Sequence, residues 1–166
     1  MYLETARTII RSIEKSDFEN LVKLWTDPEV TRFLGGPRQE STLRKNLQED
    51  LDHPEYDRFN LWPVIHKKDS SFIGHCGLLE KTIEDKNEVE LIYILSPAFW
   101  RKGLAVEIGC ALKDFAKDEL GLRRLVSLIN PLNTASQKTA EKIGLRWEKD
   151  IIRPDNSKKM LYSIQL

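Results

Sequence analysis

The chain has 166 residues, a length that fits a single domain spanning residues 1–166 and buries about 70% of the unfolded surface without a disulfide or metal. Basic and acidic side chains number 26 each, which excludes the global positive field expected of a nucleic-acid-binding protein. The longest apolar run, residues 91–95, is too short to span a membrane.

The N-terminus and the cysteines indicate a cytoplasmic protein. Glu4 and Arg7 stand where a secretory signal would be apolar. Cys76 and Cys110 lack the spacing of a redox or metal motif and are predicted to be apolar packing residues in a reducing compartment. No metal is expected, since the histidines lack ligand spacing and are predicted to be surface or packing residues. They are His53, His66 and His75.

Short runs of β-branched and aromatic residues predict a sheet of six to seven strands. The runs are residues 7–13, 60–67, 71–80, 88–95, 124–129, 145–152 and 159–165. Short polar turns separate the runs between residues 60 and 95, which predicts an antiparallel meander there, with a charged turn at residues 84–87.

Helical periodicity predicts about four main helices. They are residues 16–25, 41–52, 104–120 and 133–143, with a further short turn of helix at Asp27-Pro28. Ser16 and Glu19 have the spacing of a capping box for the first helix. Pro54 is expected to end the second helix, and Gly121 and Gly144 to end the last two.

The order of these elements predicts an α/β fold with a mixed sheet. Residues 89–130 read as strand, helix and strand, which is the pattern of a right-handed crossover. The sheet should therefore be mostly antiparallel, with a parallel pair at this crossover.

The turn at residues 96–105 is predicted to bind an anionic group. It joins a buried strand to the helix that starts near residue 104, and the first-turn amides of a helix have no intrahelical acceptors. Arg101 and Lys102 add positive charge, while Gly103 and Ala105 allow a phosphate to approach the backbone. A simple turn glycine is the alternative. No Walker spacing and no G-x-G-x-x-G pattern occurs, so a nucleoside triphosphate or a dinucleotide is not the expected ligand.

Two motifs resemble those of the GNAT acyltransferase superfamily, and in particular its branch that acetylates ribosomal-protein N-termini and small amines (RimJ/RimL-like). The first covers residues 90–97 and 99–107, and the second covers residues 130–136 and 141–145. The resemblance extends over nearly the whole chain. It implies the GNAT fold, with a sheet splayed beside the strand at 88–95, and acetyl-CoA as co-substrate.

The resemblance also implies which residues contact the coenzyme. Backbone amides at Arg101, Lys102, Gly103, Leu104, Ala105 and Val106 match the cradle for its pyrophosphate. The strand segment Tyr93, Ile94 and Leu95 matches the one that pairs with the pantetheine arm and donates to the acyl oxygen. Asn133 matches an asparagine near the pantetheine or acyl end, and it is also a residue preferred as a helix N-cap.

Three positions depart from the family pattern. Trp100 stands where a polar residue is usual, so Arg101 or Lys102 is expected to compensate. Ala140 stands where many members carry the tyrosine that protonates the leaving thiolate. Ser136 could donate that proton instead, with a helix-surface serine as the alternative. Leu145 replaces the usual phenylalanine, which is a conservative change in packing.

Glu90 is the predicted catalytic base. Acetyl transfer needs a neutral amine, and strand alternation places Glu90 on the same face as Ile92 and Ile94. We expect its carboxylate to act through a water and its pKa to be raised by apolar neighbours. A purely structural carboxylate is the alternative, and Glu107 is interpreted as structural because a first helical turn favours an acid.

The sequence thus predicts an N-acetyltransferase that transfers acetyl directly within a ternary complex. The acceptor is a protein N-terminus or a small-molecule amine, with no nucleic acid, no membrane and no metal involved; a homodimer is compatible with the sequence. An acyl-CoA-binding module without turnover is the alternative from another class. Residues proposed for the acceptor pocket, with core or turn positions as the alternative, are Trp25, Phe33, Trp62, Phe72 and the turn Gly35-Gly36-Pro37.

Overall fold

A computed structural model describes residues 1–53 and 58–166. Within these ranges eight strands and five α-helices are present. The strands are β1 (Tyr2–Glu4), β2 (Thr8–Arg11), β3 (Leu61–His66), β4 (Phe72–Ile83), β5 (Lys86–Leu95), β6 (Arg124–Ile129), β7 (Arg146–Ile152) and β8 (Lys158–Gln165). The helices are α1 (Phe18–Thr26), α2 (Pro28–Thr31), α3 (Glu40–Asp52), α4 (Leu104–Asp118) and α5 (Thr134–Ile143).

The strands form one mixed sheet in the order β1-β2-β3-β4-β5-β6-β8-β7. Every neighbouring pair is antiparallel except β5 and β6, which are joined by the crossover through α4. This confirms the predicted α/β GNAT fold and its mostly antiparallel sheet.

The parallel pair β5–β6 separates soon after it forms. Its register contains the single pair Glu90–Val126. Beyond that pair, side chains span the gap: Ser127 Oγ donates to the Leu91 carbonyl (2.8 Å) and the Leu128 amide donates to Glu90 Oε1 (3.2 Å). The sheet therefore splays beside the last residues of β5, as the resemblance implied.

The helices cover the two faces of the sheet. The main core packs α4 and α5 against one face, and its fully buried members include Leu91, Ile108 and Leu125. A smaller cluster, with Leu21 and Leu47 at its centre, packs α1 and α3 together on the other side, with Phe72 of β4 against it. On β5, Tyr93 and Leu95 consequently belong to the α4–α5 face, and Glu90, Ile92 and Ile94 to the opposite face.

The structure corrects several details of the sequence prediction. The described sheet has eight strands instead of six to seven, because a short strand, β1, pairs with β2. The short turn of helix predicted at Asp27-Pro28 is present as α2, which with the four main helices makes five described α-helices. The capping box predicted from Ser16 was wrong: the reciprocal bonds belong to Glu14, which precedes a 3₁₀ turn ahead of α1, and to Asp17, the last residue of that turn. The expected helix end at Pro54 lies outside the described residues.

Candidate functional site

A groove of about 790 Å³ opens at the splayed end of β5. Its walls come from four parts of the chain: residues 29–34, residues 93–97, the turn and helix start at residues 99–106, and residues 133–142 along α5. The residues predicted from the sequence to bind the coenzyme or to take part in catalysis line this groove, with two exceptions. Lys102 and Glu90 are not among its lining residues.

The turn before α4 presents backbone amides to the groove. Gly103 caps the helix with a left-handed backbone (φ 75°), and Arg101 is also left-handed (φ 60°). The helical ladder starts with the bond from the Glu107 amide to the Gly103 carbonyl (3.1 Å). The amides of the three preceding residues therefore have no intrahelical acceptor, and they lie at the positive end of the helix dipole. This arrangement suits an anion.

Glu107 and Arg7 hold this turn in place from behind. Glu107 Oε1 accepts from the Thr5 hydroxyl (2.5 Å) and the Arg7 amide (2.8 Å), and Oε2 accepts from Arg7 Nε (2.6 Å). Arg7 Nη1 in turn donates to the Lys102 carbonyl (2.9 Å). Burial alone would raise the pKa of Glu107, but the bonds from Thr5 and Arg7 outweigh it and keep the pKa below its ordinary value. The sequence analysis did not predict the contact between Arg7 and Lys102, since these two residues are 95 positions apart and share no local motif.

Replacing Arg7 should loosen the turn. In Arg7→Met the Lys102 carbonyl and the Glu107 carboxylate both lose a charged donor, so the amides of the turn become less well oriented. We expect the Kd for coenzyme A to rise about fivefold, which corresponds to about 1 kcal/mol. Calorimetric titration measures this directly. Arg123→Met, an exposed arginine elsewhere on the surface, should leave the Kd unchanged; an equal effect of both variants would contradict the assignment.

Trp100 does more than pack. Its indole Nε1 donates to the Leu95 carbonyl (2.7 Å), and 36% of the residue remains exposed. The bond ties the last residue of β5 to the turn that follows it. Beside it, the Lys102 ammonium lies over the Phe99 ring, 5.3 Å from its centroid. At a position where a polar residue is usual in the family, the Trp100 indole therefore makes a hydrogen bond within the protein.

A pair of hydroxyl groups stands where α5 meets β5. The Tyr93 hydroxyl donates to the Ser136 carbonyl (3.1 Å), and Ser136 Oγ donates to the Tyr93 hydroxyl (3.3 Å). Burial raises the pKa of Tyr93 to about 12, against a smaller opposing effect of the Ser136 bond. Asn133 Oδ1 accepts from the Ser136 amide (3.1 Å), so Asn133 does cap α5. Ala140 is fully buried in the core and has no group that could donate.

Glu90 lies on the opposite face of β5, three residues before the groove-lining part of the strand. Burial raises the pKa of its carboxyl group, although the Leu128 amide and the charges of Lys81, Arg153 and Lys159 oppose the shift. Within the described residues, the Glu90 carboxylate accepts one hydrogen bond from the protein, that of the Leu128 amide. A half-buried carboxylate of raised pKa is suited to proton transfer near neutral pH.

Most of the other residues singled out from the sequence have structural roles. Trp62 is fully buried, and Trp25 Nε1 donates to His75 Nδ1 (3.0 Å), whose pKa burial lowers to about 4. Of the aromatic residues proposed for an acceptor pocket, Phe33 lines the groove; its neighbours Gly35 and Gly36 form a left-handed turn (φ 95° and 87°). Burial raises the pKa of Cys76 to about 12, so its thiol is protonated at neutral pH.

Within residues 1–53 and 58–166, no three or more His, Cys, Asp or Glu side chains cluster in a way that could hold a metal ion. Among the helices that the structure describes, none combines the length and the apolar character needed to cross a membrane.

Comparison with known proteins agrees with the fold. The family model described as an acetyltransferase (GNAT) domain matches residues 7–146. An uncharacterized N-acetyltransferase, p20 of Bacillus licheniformis, is 31% identical over 88% of this chain and 83% of its own. A GNAT-family acetyltransferase structure from Bacillus anthracis superposes with a TM-score of 0.84 at 24% identity, covering 99% of this chain and 98% of the other.

A second solved structure similar to this chain holds the coenzyme. The ribosomal-protein α-N-acetyltransferase RimL, solved in complex with coenzyme A, superposes with a TM-score of 0.82 at 15% identity. It covers 100% of this chain and 98% of its own, and at this identity the likeness concerns the fold. The family match over most of the chain and the relative above 30% identity agree with each other. This chain therefore belongs to the GNAT acetyltransferase family.

Proposed function

We propose that the protein is an acetyl-CoA-dependent N-acetyltransferase that moves the acetyl group directly to a primary amine within a ternary complex. The observation that carries this proposal is that Leu104, Ala105 and Val106, whose amides have no intrahelical acceptor, line the groove beside the splayed end of β5. Bound in that groove, acetyl-CoA would supply an activated acetyl thioester.

The residues present suit coenzyme A. The amides and the Arg101 guanidinium would face its diphosphate, since both favour negative charge. Tyr93, Ile94 and Leu95 belong to the part of β5 that has separated from β6, so main-chain groups there are available to pair with the amide-containing arm. An amide of the same segment would donate to the thioester oxygen as negative charge develops on it.

Glu90 is proposed as the base. The acceptor arrives largely as an ammonium ion, and its proton must leave before its nitrogen attacks the acetyl carbon. Glu90 would take that proton through a water, since it lies outside the groove lining. As the new carbon–nitrogen bond forms, the carbon–sulfur bond breaks and the thiolate requires a proton. Because Cys76 is buried and protonated, we do not expect it to form an acyl-enzyme, and the transfer is proposed to be direct.

The proposal is tested by thiol release. Purified protein is mixed with acetyl-CoA and a panel of primary amines, including peptides with free N-termini, and coenzyme A release and amine acetylation are measured together. We expect the two products in equal amounts with at least one acceptor. Tight coenzyme binding with no turnover across the panel would contradict the proposal and would instead favour a binding module, the alternative raised by Ala140.

The hydroxyl pair is proposed to protonate the departing thiolate, and the hydroxyl that gives up its proton takes one back from solvent. Ser136→Ala and Tyr93→Phe should each lower kcat about tenfold or more, because each removes one hydroxyl of a connected pair while the Kd for acetyl-CoA changes little. The double variant should be no slower than the worse single variant, since the two groups would act in one path. Steady-state kinetics measure all three. Fully multiplicative effects would show that the hydroxyls act separately.

Thr139→Ala provides a matched control. Its hydroxyl also lies on the groove side of α5, but it donates to the Ala135 carbonyl within the helix. We expect its kcat to match the wild-type value.

A further inference from the structure

Three cationic side chains surround Glu90 on the β5 face opposite α4 and α5. Lys81 lies two positions along β4 from Leu79, the cross-strand partner of Glu90, and so shares its face. Lys159 lies in β8 two positions from Leu161, which packs with Val126 and Leu128 on this face. Arg153 directly follows β7. All three act electrostatically on the Glu90 carboxylate.

These cations have no ion-pair partner in the part of the chain that the structure describes. The Lys159 ammonium donates to the Phe33 carbonyl (3.1 Å), and Asp155 acts on Arg153 only from beyond ion-pair distance. Arg124 behaves differently on the same face: it is held between Glu88 (3.1 Å) and Glu148 (2.8 Å). The charges around Arg124 are thus matched within the protein, whereas those around Glu90 leave an excess of positive charge.

The excess lies next to the groove. Phe33, whose carbonyl holds Lys159, is itself a lining residue. All three cations are half-buried, and half-buried charges are screened by salt less than exposed ones. An acceptor that passes Phe33 toward Glu90 would therefore meet the Glu90 carboxylate among several positive charges.

Resting on the proposed function, we infer that the acceptor is a small zwitterion, an amine whose own molecule carries a carboxylate, as an α-amino acid does. Its ammonium group would face Glu90, and its carboxylate would face Lys159 and Lys81. A polyamine or a polycationic antibiotic would bring further positive charge into a region that already has an excess, and like charges repel.

The test compares acceptors that differ only in the anionic group. Free amino acids, their carboxamides and the corresponding decarboxylated amines are each assayed for acetylation. The best amino acid should have a kcat/KM at least tenfold above its carboxamide. In Lys159→Met and Lys81→Met this preference should fall at least fivefold through a higher KM for the acid, with little change for the carboxamide. Lys86→Met, an exposed lysine at the start of β5, should keep the preference.

The outcomes separate this inference from the proposed function. Faster acetylation of carboxamides, polyamines or neutral N-terminal peptides would overturn the zwitterion and leave the acetyltransferase in place. Acetylation of no amine at all would overturn both. Binding gives a second readout that does not need turnover: N-acetyl amino acids should protect the wild-type protein from thermal unfolding more than their amides do, and equal protection would count against the inference.

Discussion

Gly103→Ala should weaken coenzyme A binding at least tenfold. Gly103 has a left-handed backbone (φ 75°) at the N-terminus of α4, and this conformation costs a residue with a Cβ about 1–2 kcal/mol. An added Cβ would meet no backbone, the nearest atom being Arg7 Nη2 at 3.7 Å. The expected loss therefore comes from the strained turn, whose amides shift away from the diphosphate, and from a methyl group where the ligand approaches closely. Calorimetric titration with coenzyme A measures the Kd.

Gly121→Ala is a closely matched control. Gly121 follows the opposite end of α4, is also left-handed (φ 65°), and has open space around an added Cβ. Both variants should lower the melting temperature by similar amounts, because both place an alanine in the same unfavourable region. Only Gly103→Ala should raise the Kd. Unchanged coenzyme binding in a folded Gly103→Ala protein would remove the turn from the binding site and, with it, the observation on which the proposed function depends.

The features predicted best from the sequence are those that depend on residues close together in the chain. The turn before α4 was found because a strand, a glycine and an amphipathic helix follow one another within a short stretch of chain. Asn133 was recognised as a helix cap by the same kind of signal, and the structure places its side chain on the Ser136 amide. Such features depend on backbone preference and on neighbours within one helical turn, which a single sequence displays.

Contacts between distant segments could not be predicted in this way. Arg7 reaches the Lys102 carbonyl over 95 residues, and Lys159 reaches the Phe33 carbonyl over 126. Neither contact has a spacing rule, because the sheet order alone brings the partners together. The Tyr93 hydroxyl was also missed: the sequence placed Tyr93 in the strand beside the coenzyme, but its approach to Ser136 depends on how α5 packs against β5.

Two errors came from weak or competing local signals. β1 spans three residues, fewer than the runs that strand patterns detect, and it forms by pairing with β2. The spacing of Ser16 and Glu19 is typical of a capping box, whereas in the structure the acidic pair Glu14 and Asp17 forms the box. The bond from Arg11 to Asp17 (2.7 Å) helps to fix this choice and could not be seen from the sequence.

Glu90→Gln should lower kcat about 100-fold at high pH and progressively less at low pH. Glu90 accepts a proton only when ionised, and burial raises its pKa. The wild-type rate should therefore fall as the pH drops through that raised pKa. The variant has no such ionisation, so its profile keeps only the dependence due to the acceptor amine. The rate ratio is then largest where wild-type Glu90 is ionised, and 100-fold is typical of a positioned general base.

The substitution preserves the structural role of Glu90, because a glutamine carbonyl can still accept from the Leu128 amide. The Kd for acetyl-CoA should accordingly stay within twofold. Glu88→Gln is the matched control on the same strand face: it weakens the ion pair with Arg124, so it should lower the melting temperature slightly and leave the pH profile of kcat unchanged. A wild-type profile in Glu90→Gln would instead show that the carboxylate serves to hold β6, and that another group or the solvent takes the proton from the amine.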